Sequence, residues 1–502
     1  TLFPYTTLFR SVGDGLALTG NSVLPGAGGA GTSPGTDGKS LGPDLFLTSG
    51  GALIFNNTTG TLTVATAIES DQGAGGGMGG GVTIAGSKTV TLTGVNTYTG
   101  SVTISSTGTL NVTADTGLGA AANPLIFTGA GTLQAGGSFS SQRNVTLTAN
   151  GTVDTQGNNL SFLNPGVISG AGSLTLTGTG GTTGTLTLTG TNTYGGGTVV
   201  SAGVLNALSD ASLGNAAGSV TLAGATLQMG MNYTSSGRSL ILNAPMNGAS
   251  TIDTQAVNIS WNGLISGTGP LTKIGTGTLT LVNGANNYSG GTNINAGVVN
   301  VATDGALGNP AGAIAINAAT LQAGTTFTNT SRTISLTGSC TIDTQTTNLT
   351  LSNSAVISGS GSLTKQGSGT LTLQAVNTYE GGTTINAGTI NIAADSGLGN
   401  VSSGLSIGNA TLQIAAGHSF TSARTITLAS TATIDTGASP NELTLSGPIS
   451  GASMTKIGTG TLILTGANTY TGATTINAGT LQMGVANAIN SASNITMSGT
   501  SI

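Results

Sequence analysis

The sequence predicts an all-β fold in which the chain winds as a parallel solenoid, and three observations carry that expectation. First, landmarks recur every 90–99 residues or so: the tyrosine of an N-x-Y tripeptide at Tyr98, Tyr194, Tyr288, Tyr379 and Tyr470, and the leucine of a Leu-Gly corner at Leu118, Leu213, Leu307 and Leu398, with Ile489 in the same slot. Aspartates return at Asp154, Asp253, Asp343 and Asp435, and arginines at Arg143, Arg238, Arg332 and Arg424. A fixed period of this kind is the mark of a repeat architecture. Second, each period is made of runs of four or five residues that alternate aliphatic with polar, the period-2 pattern of a half-buried strand. Third, the composition suits neither collagen nor disorder: 86 glycines but only 11 prolines in 502 residues, with aliphatic residues at regular intervals throughout.

Taken in order, the chain begins with TLFPYTTLFRS (1–11), which resembles an in-frame translation of a sequencing-adapter oligonucleotide and is read as non-native. Residues 12–94 form a divergent, glycine-rich start, with a Gly/Pro-rich stretch at 24–43, a glycine run at 73–81 and Lys88 where other copies have glycine. Residues 95–502 are the repeated part. Within 292–373 the runs TNIN, VVNV, AIAIN, ATLQ, RTISL, TIDT, NLTL, AVIS, SLTK and TLTL give ten strands, divided by corners such as N-A-G and Q-G-S-G that supply positive φ. Two-residue hairpin turns are largely missing, so the strands are expected to stack parallel in four to five coils per repeat. At about 4.8 Å per coil this predicts a rod on the order of 100 Å long. Leu, Ile and Val point inward and Thr and Ser outward, with stacked Thr or Asn rows hydrogen-bonding between coils. The segment 494–502 aligns with 313–321, so the chain is expected to stop inside a repeat.

Charge and composition narrow the function. A net charge of −5 over this length leaves no footprint for nucleic acid, and no stretch of about 18 apolar residues could span a bilayer. Cys340 is the only cysteine, so repetitive packing rather than a disulfide must hold the fold. A hydrolase of glycosidic bonds needs two converging carboxylates. Most acidic residues here recur in every repeat, which marks them as structural. Asp115, Asp210, Asp304 and Asp395 stand three residues before the Leu-Gly corner and are expected to close Asx-turns. Arg143 and Asp154, Arg332 and Asp343, and Arg424 and Asp435 are each 11 apart, and Arg238 and Asp253 are 15 apart, which allows ion pairs along the outer surface, although exposed pairs contribute little. His418, the sole histidine, replaces Gly137, Met231 and Thr325 of other copies and reads as a solvated bystander. Cys340 shares its slot with Gly151, Ser250 and Ala432, which reads as a tight, inert position. Neither can build a His/Cys metal cluster, and the glycine run lacks the order of a phosphate loop. Trp261 and the N-x-Y tyrosines could stack on glycans, but one tyrosine per corner reads as a corner cap.

The unit LTKxGxGTLTLxGxNTYxGxTxINAG, standing at 271–297, 363–388 and 454–479 with degenerate copies at 82–108 and 174–203, resembles the autotransporter-associated β-strand repeat, also called the passenger-associated transport repeat. The resemblance covers about 90–502. It implies a right-handed parallel β-helix in a type V secretion passenger, exported through an outer-membrane β-barrel translocator and serving as stalk or adhesive surface. It implies host or matrix glycans and proteins as partners and a cell-surface location, while the residues themselves offer no catalytic, cofactor or metal site. The competing readings are a spacer beside a catalytic domain outside this sequence, and a glycan- or ice-binding solenoid. The latter requires an uninterrupted TxT array, and the threonines read as scattered. Raw strand edges predict end-to-end self-association.

Overall fold

A computed structural model describes residues 45–47, 52–58, 60–70, 80–179, 183–243, 249–329, 331–486 and 488–498. The adapter-like segment 1–11, the stretch 24–43, most of the glycine run and the last residues of the 494–502 alignment lie outside them. Two compact units divide the chain. The first holds the described residues up to Met231 with Arg238–Leu240, and the second holds Asn232–Gly237, 241–243 and the described residues from Ala249 onward.

Each unit is a parallel β-solenoid. Strands of two to five residues pair with strands one coil away, and the ladders are parallel in both units. The alternation in the sequence becomes a two-sided strand: in Thr278–Leu281 the leucines are buried and the threonines partly exposed. Leu, Ile and Val of successive coils fill the interior, for example Leu321, Ile342, Leu363, Ile385 and Ile407, each at most 3 % exposed.

The segment between Tyr288 and Tyr379 shows how one repeat is wound. It holds eleven strands rather than ten, in four coils. The first coil has two strands, Thr292–Ile294 and Val298–Val301. The second has Ile314–Asn317, Thr320–Ala323 and Phe327–Asn329; the third Ile334–Thr337, Ser339–Asp343 and Leu349–Leu351; the fourth Ile357–Ser358, Ser362–Gln366 and Thr370–Leu373. In the two-strand coil the third side is taken by a 3-10 turn, Asp304–Leu307. A new sheet starts in the next coil at Phe327–Asn329, and another starts at Phe420–Ser422 after the turn Asp395–Leu398. The first unit repeats the arrangement with Asp115–Leu118 and Phe139–Ser141. Sheets therefore end and begin once per repeat, with a turn between them.

The outward side chains correct one sequence expectation. Thr370, Thr389, Thr411, Thr433, Thr455, Thr475 and Thr496 lie in register on seven successive coils. The threonines are thus aligned, not scattered; coils of unequal length conceal the alignment in the sequence. No hydrogen bond runs from one of these hydroxyls to the next. The bonding between coils belongs to the neighbouring column, where Asn300 donates to Gln322 (2.7 Å) and Gln322 to Asp343 (2.8 Å), and where Asn391, Gln413 and Asp435 repeat the chain. Because Asn391, Gln413 and Asp435 flank Thr389, Thr411 and Thr433, the ladder stays a single column, and a TxT array is not formed.

Candidate functional site

The residues that recur in every repeat converge on the turn between two sheets. Asparagine of the N-x-Y corner comes first. In the second unit, for example, the Ile265 and Ile357 amides donate to Asn286 and Asn377 Oδ1 (2.8 Å each). The Nδ2 atoms donate onward to the carbonyls of Ala306 and Gly397, at 2.8 and 2.7 Å. One side chain thus ties the coil before to the coil after and satisfies two buried backbone groups where the ladder is interrupted. Asn96 and Asn192 do the same in the first unit.

The tyrosine two residues on is fully buried in all five copies. Its hydroxyl meets the threonine four residues later: Tyr194 with Thr198, Tyr288 with Thr292, Tyr379 with Thr383 and Tyr470 with Thr474, at 2.6–2.9 Å. The ring lies against the Leu-Gly corner, where Gly399 has φ 82° and an added Cβ would sit 2.7 Å from the Tyr379 ring. Glycine is required there twice over, for the left-handed backbone and for the space. Burial raises the tyrosine hydroxyls above their ordinary pKa, Tyr194 to about 12. Rings enclosed in this way offer no face to a sugar, and Trp261 is equally buried.

The turn is closed from the next coil by arginine, and here two expectations change. Arg332 pairs with Asp304, 28 residues earlier (Nε to Oδ1, 2.8 Å), not with Asp343 eleven residues later. Arg143, Arg238 and Arg424 pair likewise with Asp115, Asp210 and Asp395. The guanidinium groups are inside, at most 3 % exposed by residue, rather than along the outer surface. Each also donates to carbonyls of the turn; for Arg332 these are Asp304, Leu307, Gly308, Asn309 and Gly312. The planar fork matches a carboxylate and a ring of carbonyls together, which an ammonium could not. These aspartates therefore serve arginine, and the Asx-turn belongs to the other series: the amides of Gln156, Gln255, Gln345 and Gly437 donate to Asp154, Asp253, Asp343 and Asp435 at 2.8–3.1 Å. At Asp154 burial would raise the carboxyl pKa, but bonds from Gln134, Thr179 and Gln156 outweigh it and hold it low.

A further set escaped the sequence reading. Lys273, Lys365 and Lys456 are fully buried, and each ammonium donates to three backbone carbonyls; for Lys365 these are Gln366 and Gly367 (2.7 Å) and Ala387 (3.2 Å). The signal was present in the alternation of Leu-Thr-Lys, which turns the lysine inward with the leucine. Desolvation pulls their pKa values down to about 8, partly opposed by Asp253, Asp343 and Asp435. In the degenerate copies the slot holds Ile84 and Leu176, so the lysine stem is acting as core.

Seven of the eight described basic residues are thus enclosed, Lys88 being the exposed one. Cys340 is buried with its thiol on the Ile316 carbonyl at 3.1 Å, and His418 is exposed. Among the described residues no three His, Cys, Asp or Glu side chains gather as metal ligands. What the recurring residues do chemically is hold backbone.

The comparisons with known proteins fall on these same segments. The passenger-associated-transport-repeat model matches 82–112, 183–207, 271–301, 363–392 and 454–483, spans that carry the buried lysines and the N-x-Y corners. Over 131 residues the chain is 40 % identical to the adhesin BmaC autotransporter of Brucella suis biovar 1 (strain 1330), a match covering 26 % of this chain and only 4 % of that protein. No solved structure matches. The chain carries five passenger-associated transport repeats on parallel β-solenoid units, and in both respects it is similar to the passengers of exported, surface-exposed autotransporters.

Proposed function

We propose that this solenoid works as a stalk or adhesive surface and that its repeated corners assist its own export. The observation supporting this is that the recurring polar side chains of the repeat are committed to holding coils together, so each repeat closes on itself using only neighbouring coils. A chain delivered progressively through an outer-membrane β-barrel could then fold a few coils at a time, as quasi-one-dimensional repeats do. The barrel translocator is its expected partner in export. Host or matrix glycans and proteins are its expected contacts afterwards, with affinity spread along neutral outer faces. Ile495 and Met497, 48 % and 62 % exposed in slots that are buried in earlier coils, favour self-association of the isolated chain, which sedimentation over a concentration series would detect.

Fusing the chain to an outer-membrane β-barrel and measuring its protease accessibility on intact cells tests the export role. Replacing Asn286 and Asn377 by alanine is expected to lower the amount of folded, surface-exposed chain several-fold. Unchanged surface yield would remove the repeat from the export step.

A further inference from the structure

We infer that the arginine clamp is an internal edge cap, which blocks strand addition by a second copy of this chain at the places where sheets begin. Phe327–Asn329 and Phe420–Ser422 are first strands of their sheets, and the coil before each presents a 3-10 turn in place of a strand. Such an edge is a template for another strand. The strands most able to occupy it are those of another copy, because parallel in-register pairing of similar aliphatic-threonine runs already joins successive coils such as Leu349–Leu351 with Leu371–Leu373. Arg332 and Arg424 stand three and two residues beyond their edge strands and reach back to the turn, binding Asp304 and Asp395 at 2.8 and 2.9 Å. The edge strand and the clamp are joined, since the Arg332 amide donates to Asn329 Oδ1 (3.0 Å) and the Arg424 amide to Ser422 Oγ (3.4 Å). The first unit builds the same device from Phe139–Ser141, Arg143 and Asp115. Clamping keeps the turn's carbonyls engaged and the turn seated under the edge; releasing it uncovers both.

The test uses the full chain carrying Arg332→Leu, with Asp304→Asn as a milder second variant that keeps the shape of the pair, and Lys365→Leu as a control that removes a buried cation away from any sheet start. Sedimentation over a concentration series is combined with hydrogen exchange at 327–329. Either clamp variant is expected to self-associate at a concentration about tenfold below that of the native chain and of the control, with exchange at 327–329 slowing as it does so. The inference is overturned if a folded clamp variant associates no more readily than the control, or if it associates while 327–329 exchange as in the monomer. If Arg332→Leu does not fold, Asp304→Asn decides by the same two criteria. The outcome is independent of the export reading, because no translocator takes part.

Discussion

A tyrosine hydroxyl enclosed without a partner is costly, and the repeat provides its own comparison at that position. Four of the five N-x-Y tyrosines bond a threonine four residues on; Tyr98 is followed instead by Val102, and its hydroxyl has no partner among the described residues. Burial raises its pKa as in the other copies, so the group stays a neutral, unsatisfied donor. Val102 lies at 0 % exposure with its strand paired normally to Val82 and Leu125, so threonine, which is nearly isosteric, can take its place without moving backbone. Val102→Thr is expected to stabilise the first unit by about 1 kcal/mol, the net value of a buried hydrogen bond, measured as a shift of the urea midpoint. The same substitution reasoning runs the other way at Thr383: Thr383→Val should cost about as much, because it orphans Tyr379. Equal midpoints for both variants and the native chain would show that these hydroxyls find water instead.

At the level of one turn and its neighbours, the asparagine matters more than its exposure or charge would indicate. Asn377→Ala removes the acceptor of the Ile357 amide and the donor to the Gly397 carbonyl at once, leaving two buried backbone groups unpaired. Each such loss costs about 1–3 kcal/mol, so a total of about 2–6 kcal/mol is expected, with hydrogen exchange quickening first at 357–358 and 395–398. Replacing exposed Thr427 by serine should change stability by less than about 0.5 kcal/mol. How legible these elements were depended on whether their signal was local. Strand alternation, corner glycines and the period could be read directly, because each rests on side chains a few residues apart. The arginine partner could not: residues 11 apart in sequence invited Arg332 to Asp343, whereas the winding places Arg332 one coil above Asp304, 28 residues back. The threonine ladder was hidden for a related reason. Thr370 to Thr389 is 19 residues and Thr389 to Thr411 is 22, because one corner carries extra residues that leave the stacking untouched. The lysines were legible in principle, and were missed because a charge is expected outside.

For the chain as a whole, the buried groups give pH a defined effect with opposite limbs. Lys273, Lys365 and Lys456 titrate near 8 when folded and near 10.5 when unfolded, because burial disfavours the ammonium. Between those values the unfolded state binds more protons, so stability rises with pH from about 8 to about 10.5. The tyrosines act the other way. Their folded pKa values are raised above the ordinary 10.0, so above pH 10 the unfolded chain releases protons that the folded chain keeps, and stability falls. The two units differ in which groups they hold. Tyr98 and Tyr194 lie in the first unit, which has Ile84 and Leu176 in the lysine slots; all three buried lysines and Tyr288, Tyr379 and Tyr470 lie in the second. The second unit should therefore gain stability between pH 8 and 10 and lose it above, while the first stays level and then declines. Urea titrations followed by the fluorescence of Trp261, the only tryptophan and a residue of the second unit, report one; pulse proteolysis with fragment mapping reports the other. The decisive variant is Lys273→Leu/Lys365→Leu/Lys456→Leu, which gives the second unit the leucine found at 176 and should abolish its rising limb while preserving its fall above pH 10. A second unit that is level from pH 8 to 10 in the native chain would mean that three carbonyls per ammonium compensate its lost water in full, leaving these lysines charged and energetically indifferent to the interior.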